Sequence, residues 1–177
     1  MKTKIILLLA IISIAFTACN LEGESNYVPE IFFAKFPTNN LGDSLDIYYT
    51  DEAGSYRLDT ITVGDTISFQ MYITGYENNL TAFYLKESAD SVTKIILPNK
   101  SSMDSIFLPT SNYNTGKFFM KGLSTSLYFP FKYVAKEPSN EAKIVFTAVS
   151  DTHFEESIGT NTVSFTLKTP IAAKPED

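Results

Sequence analysis

Apolar and polar residues alternate strictly from Thr66 to Thr74: Ile67, Phe69, Met71 and Ile73 fall on one side, and Ser68, Gln70, Tyr72 and Thr74 on the other. Successive side chains of an extended chain point to opposite faces, so a period of two over this length predicts a half-buried strand. Thr162 to Lys168 repeats the pattern, with Val163, Phe165 and Leu167 set against Ser164 and Thr166. Less regular runs at Ile31 to Phe36, Leu45 to Tyr49, Leu80 to Lys86, Lys94 to Leu97, Leu127 to Ala135 and Ala142 to Ser150 predict further strands. Turn chemistry separates them at Gly64-Asp65, Gly75, Pro98-Asn99, Pro138-Ser139-Asn140 and Gly159-Thr160-Asn161. Pro130 has no N–H to give to a ladder, which marks the Leu127 run as an edge strand or the site of a bulge. No segment carries a capped helical stripe. Short strands joined by turns predict an all-β antiparallel sandwich over residues 31–170, a span suited to one domain.

The first eighteen residues follow another rule. Lys2 and Lys4 precede an apolar run from Ile5 to Ile12, and Ser13 and smaller residues then lead to Thr17, Ala18 and Cys19. Charge, grease and small residues in that order are the layout of an export signal. The run to Phe16 is too short for a membrane span, which takes about 20 apolar residues. Phe16-Thr17-Ala18-Cys19 resembles a lipobox, with Phe16 where Leu, Val or Ile is usual. That resemblance implies cleavage between Ala18 and Cys19 and a diacylglyceryl group, with further acylation such as palmitate, on Cys19. Cys19 is the sole cysteine, so no intramolecular disulfide forms. Two or more acyl chains, at about 0.8 kcal/mol per buried methylene, hold a protein at a membrane stably.

Residues 19–30 are polar and acidic and are expected to form a flexible tether. Glu22 and Glu24 behind the cysteine resemble the surface-export signals of Bacteroidetes lipoproteins, which implies the outer membrane, facing outwards or into the periplasm. Residues 171–177, with Pro170 before them and Pro175 within, are expected to form a frayed tail.

Within the domain, Val63-Gly64-Asp65-Thr66-Ile67-Ser68-Phe69 resembles the approach to the second strand of bacterial immunoglobulin-like domains. Residues 142–168 are similar to the last hairpin of such domains. The resemblance implies an immunoglobulin-like sandwich and no particular ligand, because this fold hosts many unrelated functions.

The whole chain carries a formal charge of −6, and loss of Lys2 and Lys4 with the leader makes it −8. An acidic surface argues against a nucleic-acid partner and against electrostatic attachment to anionic lipid, leaving the lipid anchor as the membrane contact. An envelope protein or a polysaccharide stays as candidate partner.

Catalytic chemistry is not prefigured. His153 is the only histidine and falls in a hairpin loop, with no nucleophile elbow for it to serve. Zinc sites built on His and Cys are excluded by count, and no phosphate-cradling glycine loop or dinucleotide fingerprint occurs, so no cofactor is expected. Two acidic groupings remain: Asp151, Glu155 and Glu156, and Asp43, Asp46, Asp51 and Glu52 around Tyr48-Tyr49. Neither has the alternating oxygen ligands of a calcium loop. Most two-carboxylate glycosidases need a larger scaffold and a deeper cleft, so the expected function is a non-enzymatic binding, adhesion or accessory module, with a small carboxylate-dependent hydrolase as the lesser alternative. No catalytic or metal-ligating residue is assigned.

Two patterns remain. Asp43-Ser44-Leu45, Asp59-Thr60-Ile61, Asp65-Thr66-Ile67, Asp90-Ser91-Val92 and Asp104-Ser105-Ile106 share the order Asp, hydroxyl, aliphatic. They resemble the acceptor motif of Bacteroidetes O-glycosylation, which makes Ser44, Thr60, Thr66, Ser91 and Ser105 candidate acceptors. The same tripeptides also fit plain turn capping before a strand. The second pattern is aromatic: Tyr113, Phe118, Phe119 and Tyr128 flank a polar stretch from Pro109 to Ser126 that suits a ligand loop, with rings able to stack on sugars. The alternative is that these rings fill the core.

Overall fold

A computed structural model describes residues 27–50, 52, 54–87, 91–153 and 160–175. The leader, Cys19 and most of the tether lie outside the described residues. Among the described residues twelve strands occur: β1 Glu30–Phe33, β2 Ile47–Tyr49, β3 Ser55–Leu58, β4 Ile61–Thr62, β5 Thr66–Thr74, β6 Leu80–Glu87, β7 Thr93–Ile96, β8 Lys117–Phe119, β9 Ser126–Ala135, β10 Lys143–Ser150, β11 Thr162–Lys168 and β12 Ile171–Ala172. Among the described residues one helix, α1, covers Lys100–Ile106.

The strands form a four-stranded sheet in the order β1-β5-β9-β7, a six-stranded sheet in the order β2-β3-β11-β10-β6-β8, and a two-stranded pair of β12 and β4. The all-β expectation stands, and most pairings are antiparallel. Two are parallel, β11 with β3 and β12 with β4. The chain reaches both partners only by crossing the molecule, a connection that local periodicity does not reveal.

The predicted alternation in β5 and β11 sets the core. Ile67, Phe69, Met71 and Ile73 are each at most 1% exposed. Rings stack within each sheet and meet across the core: Phe69 stacks on Phe131 at 4.9 Å in one sheet, Phe146 on Phe165 at 4.7 Å in the other, and Phe131 meets Phe146 between them at 6.0 Å. Phe83, Phe107, Phe118 and Phe129 make a second ring cluster, with Phe83 and Phe129 at 5.1 Å. Each such ring contributes on the order of 2–3 kcal/mol by leaving water.

Several expectations need correction. The Leu127 run is an interior strand: β9 lies between β5 and β7. Pro130 is tolerated because β7 ends at Ile96, opposite Lys132, so the proline lies past that strand's last partner. The tail is not frayed at its start. Ile171 is 2% exposed, and β12 pairs with β4 while exchanging backbone hydrogen bonds with Ser139. Of the tether, Pro29 is buried and Glu30 opens β1. Asn99 caps helix α1, its side-chain oxygen accepting from Ser102 N at 2.9 Å, in the segment expected to be a simple turn.

Candidate functional site

The polar face of β5 carries one residue out of pattern. Tyr72 sits directly opposite Phe32 of β1 on one side and Tyr128 of β9 on the other. The three side chains are 46%, 40% and 49% exposed in the order Phe32, Tyr72, Tyr128. Neighbouring strands lie about 4.8 Å apart, so three aligned residues form a row roughly 10 Å long. Polar groups flank it. On one side Tyr128 Oη donates to Gln70 Oε1. On the other side Glu30, Thr74 and Ser126 form the next row in register. Tyr76 joins this edge: its hydrogen bond to Glu30, then partial burial, pushes its phenol above the ordinary range, and the Tyr27 ring packs 5.2 Å from it. Exposed rings beside an amide, a carboxylate and hydroxyls can pack on apolar C–H faces while bonding the hydroxyls around them.

The sequence-predicted aromatic loop is not one surface. Phe118 is fully buried between Phe83, Phe107 and Phe129, so its faces are taken by the core. Phe119 is half-buried, with its ring at right angles to Tyr84. Tyr113 leans on Phe118 and donates its hydroxyl to Asp104 Oδ1 at 2.8 Å. Asp104 is held below the usual carboxylate range by its bond from Lys100, then by that from Tyr113. Tyr128 belongs to the other sheet and to the aromatic row. The stretch Pro109 to Ser126 is structured because Asn112 closes a turn, exchanging backbone bonds with Lys117 at 2.8 and 3.0 Å and accepting from Asn114 N and Thr115 N at 3.1 Å through Oδ1.

That turn walls a groove of about 730 Å³ against the ends of β6 and β7. Its lining includes Tyr113, Asn114, Thr115, Glu87 and four lysines: Lys86, Lys94, Lys117 and Lys136. Sequence reasoning missed this groove because its basic residues come from four separated segments.

The acidic groupings act locally. Asp151 accepts from Asn79 N at 2.7 Å and Asn79 Nδ2 at 2.8 Å, which braces the loop before β6. Glu155 and Glu156 lie outside the described residues, as does Asp51. Glu52 pairs with Lys168 at 3.1 Å, Asp43 accepts from Asn39 Nδ2, and His153 is exposed. Tyr48 bonds Asp59 at 3.1 Å, which with lesser contributions raises its phenol. Among the described residues no group of three or more His, Cys, Asp or Glu side chains is placed to hold a metal.

The candidate glycan acceptors differ in access. Ser44, Thr60, Ser91 and Ser105 are exposed, whereas Thr66 is half-buried at the start of β5. Asp65 closes its own turn, accepting from Thr62 N at 2.8 Å, whereas Asp59 reaches across to the segment before β2 and accepts from Asp46 N at 2.7 Å.

No known family matches the chain, and no curated protein matches it in sequence. In structure it is similar to a DUF4466 family protein from Parabacteroides merdae, with a TM-score of 0.39, 11% identity, and 77% of this chain aligned to 45% of that one. It is also similar to AvmM, which catalyses macrocyclization in alchivemycin A biosynthesis, with a TM-score of 0.28, 15% identity, and 75% of this chain aligned to 90% of that one. The chain thus spans less than half the length of the first of these.

Proposed function

We propose that this chain is a non-enzymatic, lipid-anchored binding module of a Bacteroidetes-type cell envelope, whose immunoglobulin-like domain presents the outer face of its four-stranded sheet to a ligand. The leader and lipobox-like Phe16-Thr17-Ala18-Cys19 support the anchor. The strand order supports the fold in part: β1-β5-β9-β7 and β11-β10-β6 follow the A-B-E-D and G-F-C strands of immunoglobulin-like domains, while β8, in the C′ place, comes after β7 in the chain where C′ comes before D. The observation that carries the binding face is the row Phe32, Tyr72, Tyr128. A strand buried on one face ordinarily turns polar side chains to water, and three aligned exposed rings cost solvation unless something covers them.

A polysaccharide is the occupant favoured by the groups around the row. Sugar rings offer flat C–H faces to Phe32, Tyr72 and Tyr128, and hydroxyls to Gln70, Glu30 and Ser126. The test is affinity electrophoresis of the chain from residue 19, with Cys19 replaced by Ser, through gels containing individual polysaccharides. Retardation by at least one polysaccharide, abolished in the triple variant Phe32→Ala, Tyr72→Ala, Tyr128→Ala, is the expected result. Equal migration of both proteins in every gel removes the polysaccharide reading. Ser44, Thr60, Ser91 and Ser105 remain proposed O-glycan acceptors, and glycopeptide masses from the native host decide each one.

A further inference from the structure

We infer a second site, independent of the aromatic row: the groove walled by β6, β7 and the Asn112 turn takes a compact anionic ligand carrying several carboxylate, sulfate or phosphate groups. Its volume, about 730 Å³, is that of a small-molecule site. Four of the chain's 14 basic residues line it, Lys86, Lys94, Lys117 and Lys136, in a protein whose formal charge is −6. One carboxylate lies among the described lining residues, Glu87, and both its oxygens are engaged: Oε2 accepts from Thr93 Oγ1 at 2.7 Å and Oε1 from Ile95 N at 3.3 Å. Among the described lining residues, lysines thus outnumber carboxylates, in a molecule that is net negative.

The wall is also built in advance. Gly116, at a φ of +62°, lies so close to β6 that an added Cβ would come 1.8 Å from Leu85 O, and Gly116 O accepts from Leu85 N at 2.9 Å. A turn seated this firmly does not need ordering when ligand arrives, which lowers the entropic cost of binding. Asn114 and Thr115 add hydrogen-bonding groups at the rim, and Ile95 and Leu97 give an apolar patch.

Charge and size together choose the ligand. At physiological salt the screening length is about 8 Å, so lysines around one groove act on an anion inside it while remote acids are damped. A long polyanion would run out of the groove over an acidic surface and be repelled. Lysine ammonium groups act as point charges and accept carboxylate, sulfate or phosphate without the fixed fork geometry of arginine.

Sucrose octasulfate and sucrose are suitable probes, because they share a skeleton and differ in charge. In calorimetric titration of the full chain with Cys19→Ser, the octasulfate binds and sucrose does not. Raising salt from about 20 to about 200 mM weakens binding roughly tenfold or more, as expected for exposed charges. Lys94→Gln with Lys117→Gln weakens it by a similar factor at unchanged melting temperature, whereas Lys35→Gln, outside the groove, does not. The Phe32, Tyr72 and Tyr128 triple variant keeps octasulfate binding, so this site and the aromatic row fail or survive separately. Equal binding by the Lys94/Lys117 variant and the parent, or no octasulfate binding at low salt, overturns the inference.

Discussion

Tyr133 shows how a single side chain couples the core to pH. It is 0% exposed, and its hydroxyl lies 2.7 Å from Thr169 Oγ1. Burial raises its phenol above the ordinary value, an effect only partly offset by its hydrogen bonds to Thr169 and Thr93. The folded chain thus holds this proton more tightly than the unfolded chain. Its contribution to stability is complete below about pH 10, and is lost as pH rises through the raised value. Urea midpoints measured between about pH 9 and pH 11 are expected to fall in the parent and to fall less in Tyr133→Phe. Gly116 makes the complementary geometric prediction. Gly116→Ala sets a Cβ against Leu85 O at a left-handed φ, and costs on the order of 1–3 kcal/mol in chemical denaturation. An unchanged midpoint would mean the turn is not pressed on β6. Both residues escaped the sequence reading, since neither a buried hydroxyl nor a close backbone approach leaves a periodic signal.

The elements that were legible are those whose alternation is long. β5 and β11 could be read directly, and β6, β9 and β10 nearly so, because each exposes one polar face and buries one apolar face over seven or more residues. β3, β4, β8 and β12 are two to four residues long and are strands only because a distant partner pairs with them. α1 spans seven residues with Met103 as its buried side chain, too little for a stripe. β12 is the sharpest case, since proline-bounded Ile171-Ala172 reads as tail and yet plugs the end of the core. Ile171→Ala is expected to destabilise by about 2–5 kcal/mol in urea unfolding. A change below about 0.5 kcal/mol, the level of an ordinary surface site, would return the segment to a frayed end.

At the scale of the whole molecule, the same alternation that builds the core also defines the proposed binding face. The sequence showed Tyr72 on the polar side of β5, but its alignment with Phe32 and Tyr128 depends on cross-strand register, which comes from pairings far apart in the chain. Tyr128 was within reach of sequence reasoning and was grouped with Phe118, whose ring the core absorbs. The lysine groove was out of reach for the same reason, being assembled from four segments. Among the described residues no helix is long and apolar enough to cross a membrane. Under the proposed function, attachment to the membrane rests on the lipid at Cys19. The mass of the amino-terminal peptide from protein taken out of its native membrane tests that most directly. The expected peptide starts at Cys19 and carries two or more acyl groups, and one still joined to residues 1–18 with a free thiol would contradict the lipid anchor.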